Sequence, residues 1–164
     1  MIRVYRVLRR EFAQSPFDGE GAYRFGGRWS SPGIRLCYTS EHQSLAMLEY
    51  FVHLDKDDPP PDLVLAAADI PDDLSRERLS FPHLPKNWRD SAAPPTLAQY
   101  GDRFVQRGEN CLLLVPSVLC PGENNYLINP AHLQYKRIAV RDVEPLEYDP
   151  RMFPSRSRHP RRAR

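Results

Sequence analysis

The chain has 164 residues, 41% hydrophobic and 27% charged, which suits one ordinary domain that buries about 70% of its unfolded surface without needing a disulfide or metal. Its formal net charge is +2, but residues 151–164 hold six Arg and no acid, which leaves 17 basic and 21 acidic residues before them. This composition excludes a collagen-like, disulfide-scaffold or wholly disordered chain, and the mildly acidic body gives no sign of the basic patch or stripe of a duplex-binding surface.

Residues 1–9 alternate loosely, with Ile2, Val4, Val7 and Leu8 among Arg3, Arg6 and Arg9, and read as a first strand. The same N-terminus lacks an apolar h-region and a small-residue cleavage site, so no secretory signal is read and a cytoplasmic location is expected. Residues 15–27 are rich in Gly and polar groups and read as a loop running into Gly26-Gly27-Arg28-Trp29. RLCYT at 35–39 reads as a short strand. Ser40 looks like a helix N-cap, with Gln43 completing a capping box, and the helix is expected from about 41 to 54. Leu45, Leu48, Phe51 and Val52 form its apolar stripe.

Beyond DKDDPPP, LVLAAADI reads as a strand and 71–95 as irregular, with many of the 17 prolines in 59–95. A short helix is expected at 96–107, weakened by Gly101. Residues 110–116 read as a buried strand, PGENNYLINP as a polar loop, and 136–146 as a last strand. No apolar run approaches the roughly 20 residues that cross a bilayer. These elements predict an α+β fold, one domain with a mixed or antiparallel sheet over 1–150. The basic tail, 151–164, reads as a disordered end, with nucleic acid or an acidic partner as the other reading.

Cys37, Cys111 and Cys120 lack CxxC spacing, and the five histidines lack HxH or HExxH spacing, so core packing is expected and a metal site is not. There is no GxxxxGK[ST] loop, no GxGxxG, and no GxSxG around Ser117. Glu49 sits beside the apolar stripe of its helix, partly withdrawn from water, where a carboxylate needs a partner or a purpose. Its i,i+4 spacing to His53 equally describes a surface pair. Arg6 is a cation inside an apolar strand, read either as an edge-strand charge or as a ligand contact. Arg28 follows two glycines that permit either a tight turn or close approach to a ligand. Tyr38 lies in the strand before the Glu49 helix and reads as core or site.

The segments GGRWSSPGIRLCYTSEHQSLAMLEYFVHL and LLLVPSVLCPGENNYLINPAHLQYKRI resemble the N- and C-terminal signatures of the RES domain family. The resemblance runs in order over residues 1–145, loosely in the middle. The Arg, Glu and Ser for which the family is named fall on Arg28, Glu49 and Ser117; VYRV and CYTS add Arg6 and Tyr38. The resemblance implies an ADP-ribosyltransferase-like fold and a bacterial toxin that consumes NAD+ without a metal. In that reading Glu49 is catalytic, Arg6 and Arg28 bind the pyrophosphate, Tyr38 stacks on nicotinamide and Ser117 donates a hydrogen bond to the ligand. The acceptor would be water, inorganic phosphate or a protein side chain. The implied partner is an antitoxin with an Xre-like helix-turn-helix domain that covers the active site, so that DNA is reached only through it. A non-catalytic interaction module using the Arg tail is the reading from another class.

Overall fold

A computed structural model describes residues 1–153 of the chain. Among them, seven strands and three α-helices follow in the order β1 (Ile2–Arg9), α1 (Glu20–Phe25), β2 (Cys37–Ser40), α2 (Gln43–Phe51), β3 (Leu63–Ile70), β4 (Arg76–Arg78), α3 (Ala98–Arg107), β5 (Leu112–Pro116), β6 (Asn124–Ile128) and β7 (Ala139–Pro145). The strands form one sheet in the order β4-β5-β6-β2-β1-β3-β7. β4 and β5 run parallel and the other neighbours antiparallel, which makes the sheet mixed and the fold α+β, as the strand pattern predicts.

Alternation along the strands divides the core between the two faces of the sheet. Val4 and Leu8 of β1, Ala66 and Ala68 of β3, Leu112 and Leu114 of β5 and Ile128 of β6 gather with Phe17 and Leu74 on one side. Leu113, Val115 and Leu127 turn the other way and meet Trp29, Leu36 and Phe104 of α3. Val7 and Leu63 meet Ala46 of α2 and Tyr148. Phe153 adds its ring to this last group, with its centroid 5.6 Å from that of Phe51. The packed body therefore extends past the expected boundary at residue 150. The rest of the expected disordered tail, 154–164, lies outside the described residues.

Several local expectations give way to tertiary context. The Gly-rich loop contains the six-residue helix α1, flanked by Gly19 and Gly26, both at positive φ. PGENNYLINP contains β6, because Asn124 to Ile128 pair with β5 and Asn125 to Ile128 with β2. The irregular stretch after residue 71 contains β4, which joins the sheet beside β5. Ser40 is the last residue of β2 and His42 takes the N-cap of α2 without a side-chain capping bond. Leu48 and Val52 of the expected stripe are exposed, and Leu45 with Ala46 forms the buried face.

Gly101 explains how α3 seats. A Cβ there would lie 1.9 Å from the Trp29 carbonyl oxygen, which is backbone and cannot rotate aside. The helix approaches the 27–30 turn to a distance only glycine permits. In an open helix Gly→Ala gains up to about 1 kcal/mol. Here Gly101→Ala is expected to lose about 1–3 kcal/mol instead, through overpacking. Urea unfolding of the variant and the native chain measures the difference.

Candidate active site

β1 and β2 pair only at Tyr5 and Ser40, whereas β1 and β3 pair along their whole length. Where β1 and β2 part, a cleft of about 1200 Å³ opens, lined from β1 by Tyr5 to Arg9 and from β2 by Tyr38 to Ser40. That volume admits a ligand larger than a drug-sized molecule. Arg6, Arg28, Tyr38 and Glu49 all line it. Ser117, 2% exposed, does not line it and lies behind Glu49.

Glu49 reaches the cleft because Leu45 and Ala46, one turn earlier on α2, are buried against the sheet. Its Oε1 accepts two hydrogen bonds, from Ser117 Oγ at 3.1 Å and from Asn125 Nδ2 at 2.7 Å. Among the described residues no hydrogen bond engages its Oε2 or joins it to His53. The surface-pair reading of Glu49 and His53 therefore fails, and one carboxylate oxygen is held while the other is unengaged. Ser117 is engaged by the protein on all sides of its hydroxyl. Its Oγ accepts from the backbone N–H groups of Leu119 and Cys120 at 3.1 and 3.0 Å, so its proton goes to Glu49.

Arg6 belongs to an interior strand, which removes the edge-charge reading. Its Nη1 donates to the Pro16 carbonyl at 2.9 Å and to Cys37 Sγ at 3.0 Å. Cys37 is fully buried, and burial pushes its thiol up, so a neutral sulfur accepts from the guanidinium. Arg6 Nη2 has no hydrogen bond among the described residues. Arg28 donates from Nη1 to the Trp88 carbonyl at 2.8 Å and from Nη2 to the Asp90 carbonyl at 3.0 Å. Burial draws its guanidinium below the ordinary value, and the carboxylates of Glu49 and Asp90 oppose that shift. An arginine has five N–H donors, so each keeps donors for an anion in the cleft.

The two glycines before Arg28 serve the protein itself. Gly26 has φ +70, and a Cβ on Gly27 would stand 2.6 Å from the Tyr38 hydroxyl. That hydroxyl accepts from the Trp29 backbone N–H at 3.0 Å and shares a 2.9 Å bond with Ser30 Oγ. Burial holds its proton on, with the pKa pushed up to about 12. Tyr38 thus fixes the turn that carries Arg28 while its ring remains part of the cleft wall.

Reading the sequence gives Asn125 only the ordering of a nearby loop, with no direct role, and misses Arg89, which also lines the cleft and donates from Nη2 to the Val118 carbonyl at 3.1 Å. Neither had a spacing signal; Asn125 becomes visible only once β6 is a strand. Glu41, His42 and Glu123 place three potential metal-ligand atoms within 4.8 Å of one another on the surface. Each already has a protein partner: Asn124 for Glu41, and His42 and Glu123 for each other.

The RES domain model matches residues 3–149. A "Prs ADP-ribosylating toxin" from Sphingobium sp. is 37% identical over 146 residues, 88% of this chain and 91% of the relative. A "Toxin Res" from Yersinia enterocolitica is 36% identical over 151 residues, covering 91% and 98%. The crystal structure of the M. tuberculosis MbcT-MbcA toxin–antitoxin complex includes a chain of the same fold. It matches with a TM-score of 0.71 and 19% identity over 88% of this chain and 84% of that one.

Proposed function

The chain belongs to the RES domain family, and from that membership and its cleft we propose that it is the toxin of a toxin–antitoxin pair that cleaves the nicotinamide–ribose bond of NAD+. The observation that carries the reading is Glu49, half-committed to the protein and half open to a cleft that also holds Arg6 and Arg28. Breaking the bond sends its electron pair to nicotinamide, which leaves neutral, and leaves an oxocarbenium-like ribosyl cation. No general acid is needed. A carboxylate beside the anomeric carbon stabilises the developing charge and accepts from a ribose hydroxyl, which is the role of Glu49. Arg6 and Arg28 hold the pyrophosphate by charge-assisted hydrogen bonds, and the Tyr38 ring is the surface offered to nicotinamide. Water attacks the cation and releases a proton to solvent, whereas inorganic phosphate attacks directly through an anionic oxygen.

The name of the Sphingobium relative favours a second reading, in which the same site transfers ADP-ribose to a protein side chain. Exposed Phe12, Phe25, Val52 and Leu119 rim the cleft, an apolar seat suited to the proposed Xre-like antitoxin covering the site, with the toxin reaching DNA only through that partner. Two experiments test these proposals. The purified chain incubated with NAD+ is expected to release nicotinamide. Adding phosphate or lysate then shows whether ribosyl product accumulates as free sugar, sugar phosphate or modified protein. Expressed alone in a bacterial host, the chain is expected to arrest growth and deplete NAD+. No nicotinamide release and no arrest would remove the reading.

A further inference from the structure

Three polar side chains meet at one corner of the sheet because of its topology. β5 ends just before Ser117, β6 begins at Asn124 and β2 ends at Ser40. Antiparallel pairing of β6 with both neighbours brings these ends together, and Ser40 stands directly opposite Asn125 in the ladder. Ser40, 3% exposed, donates from Oγ to Asn125 Oδ1 at 2.7 Å. Asn125 then donates from Nδ2 to Glu49 Oε1 at 2.7 Å. The direction of this chain is fixed. An ionised carboxylate only accepts, so the amide nitrogen must face Glu49 and the amide oxygen must face the hydroxyl.

We infer that Asn125, oriented by Ser40, is a positioning residue for the proposed cleavage. With Ser117 it locks Oε1 of Glu49 from two sides and leaves Oε2 as the oxygen offered to the ribosyl group. This inference rests on the function proposed above. In this role both residues act through Glu49. Their contribution is to hold a carboxylate on a long, flexible side chain in one rotamer, where a misplacement of about 1 Å is worth roughly 100-fold in rate.

The test compares the native chain with Asn125→Ala, Asn125→Asp and Ser40→Ala in nicotinamide release, with NAD+ affinity by calorimetry and thermal unfolding alongside. Asn125→Ala is expected to lower kcat about 100-fold with KM within a few-fold. Ser40→Ala is expected to lower it about 3- to 10-fold, the worth of one neutral hydrogen bond. Asn125→Asp supplies the signature. Its carboxylate keeps the size of the amide but turns the donor facing Glu49 into an acceptor, so its kcat is expected to fall at least as far as that of Asn125→Ala. Normal kcat in Asn125→Ala overturns the inference, as does normal kcat in Asn125→Asp. If the variants lose rate only as far as they unfold, the role is structural and the inference fails. A native chain that releases no nicotinamide removes the proposed function itself, and the positioning role with it.

Discussion

Glu49→Gln is expected to abolish nearly all nicotinamide release while leaving the protein folded. The geometry separates the two effects. Ser117 and Asn125 both donate to Oε1, and a glutamine carbonyl accepts the same two bonds in the same place. No donor is orphaned, and α2 keeps Leu45 and Ala46 in the sheet. What disappears is the negative charge facing the cleft, which in the proposed reaction the ribosyl cation needs and the ground state uses far less. Losing one such preorganised electrostatic contact is worth about 10²–10³ in rate. Nicotinamide release by the purified variant measures the loss, and thermal unfolding checks the fold. A rate equal to that of the native chain would exclude Glu49 as the charge-stabilising group.

The parts of this architecture that were legible are those whose residues have local reasons. β1, β3 and β5 carry alternating or continuous apolar residues, and their limits follow from that pattern. β6 was hidden because its first two residues are Asn124 and Asn125, polar where a strand usually buries apolar side chains. Their polarity is explained by what they hold: Glu41 for one, Glu49 for the other. α1 was hidden for a different reason: a six-residue helix between glycines has little intrinsic propensity and forms because Ala22 packs and both ends turn at positive φ. Glu49 stood out as a carboxylate beside an apolar stripe, but its partners lie 68 and 76 residues away, beyond any periodicity. Arg28 was legible through the family pattern, and its grip on the Trp88 and Asp90 carbonyls was not, since those are backbone atoms in a segment without regular structure.

That grip sets the second large expectation, for Arg28→Ala. Arg28 does two things at once. It presents positive charge to the cleft, and it fastens the 88–90 segment, from which Trp88 packs beneath with Leu97 and Leu113. Removing it takes away hydrogen bonds to a charged ligand, each worth about 1.5–3 kcal/mol. With at least one such bond lost, NAD+ binding should weaken by between about 10- and 100-fold. The chain should also lose stability, because two backbone carbonyls lose their donor. Arg28→Lys separates the roles. An ammonium restores charge near the cleft but cannot span two carbonyls and an anion with a planar fork. Its NAD+ affinity is therefore expected to fall between those of the native chain and Arg28→Ala, with unfolding close to that of Arg28→Ala. Calorimetry with NAD+ and urea unfolding on the three proteins read both quantities. If Arg28→Ala binds NAD+ as the native chain does, Arg28 is a fastener of the loop alone, and Arg6 carries the anion without it.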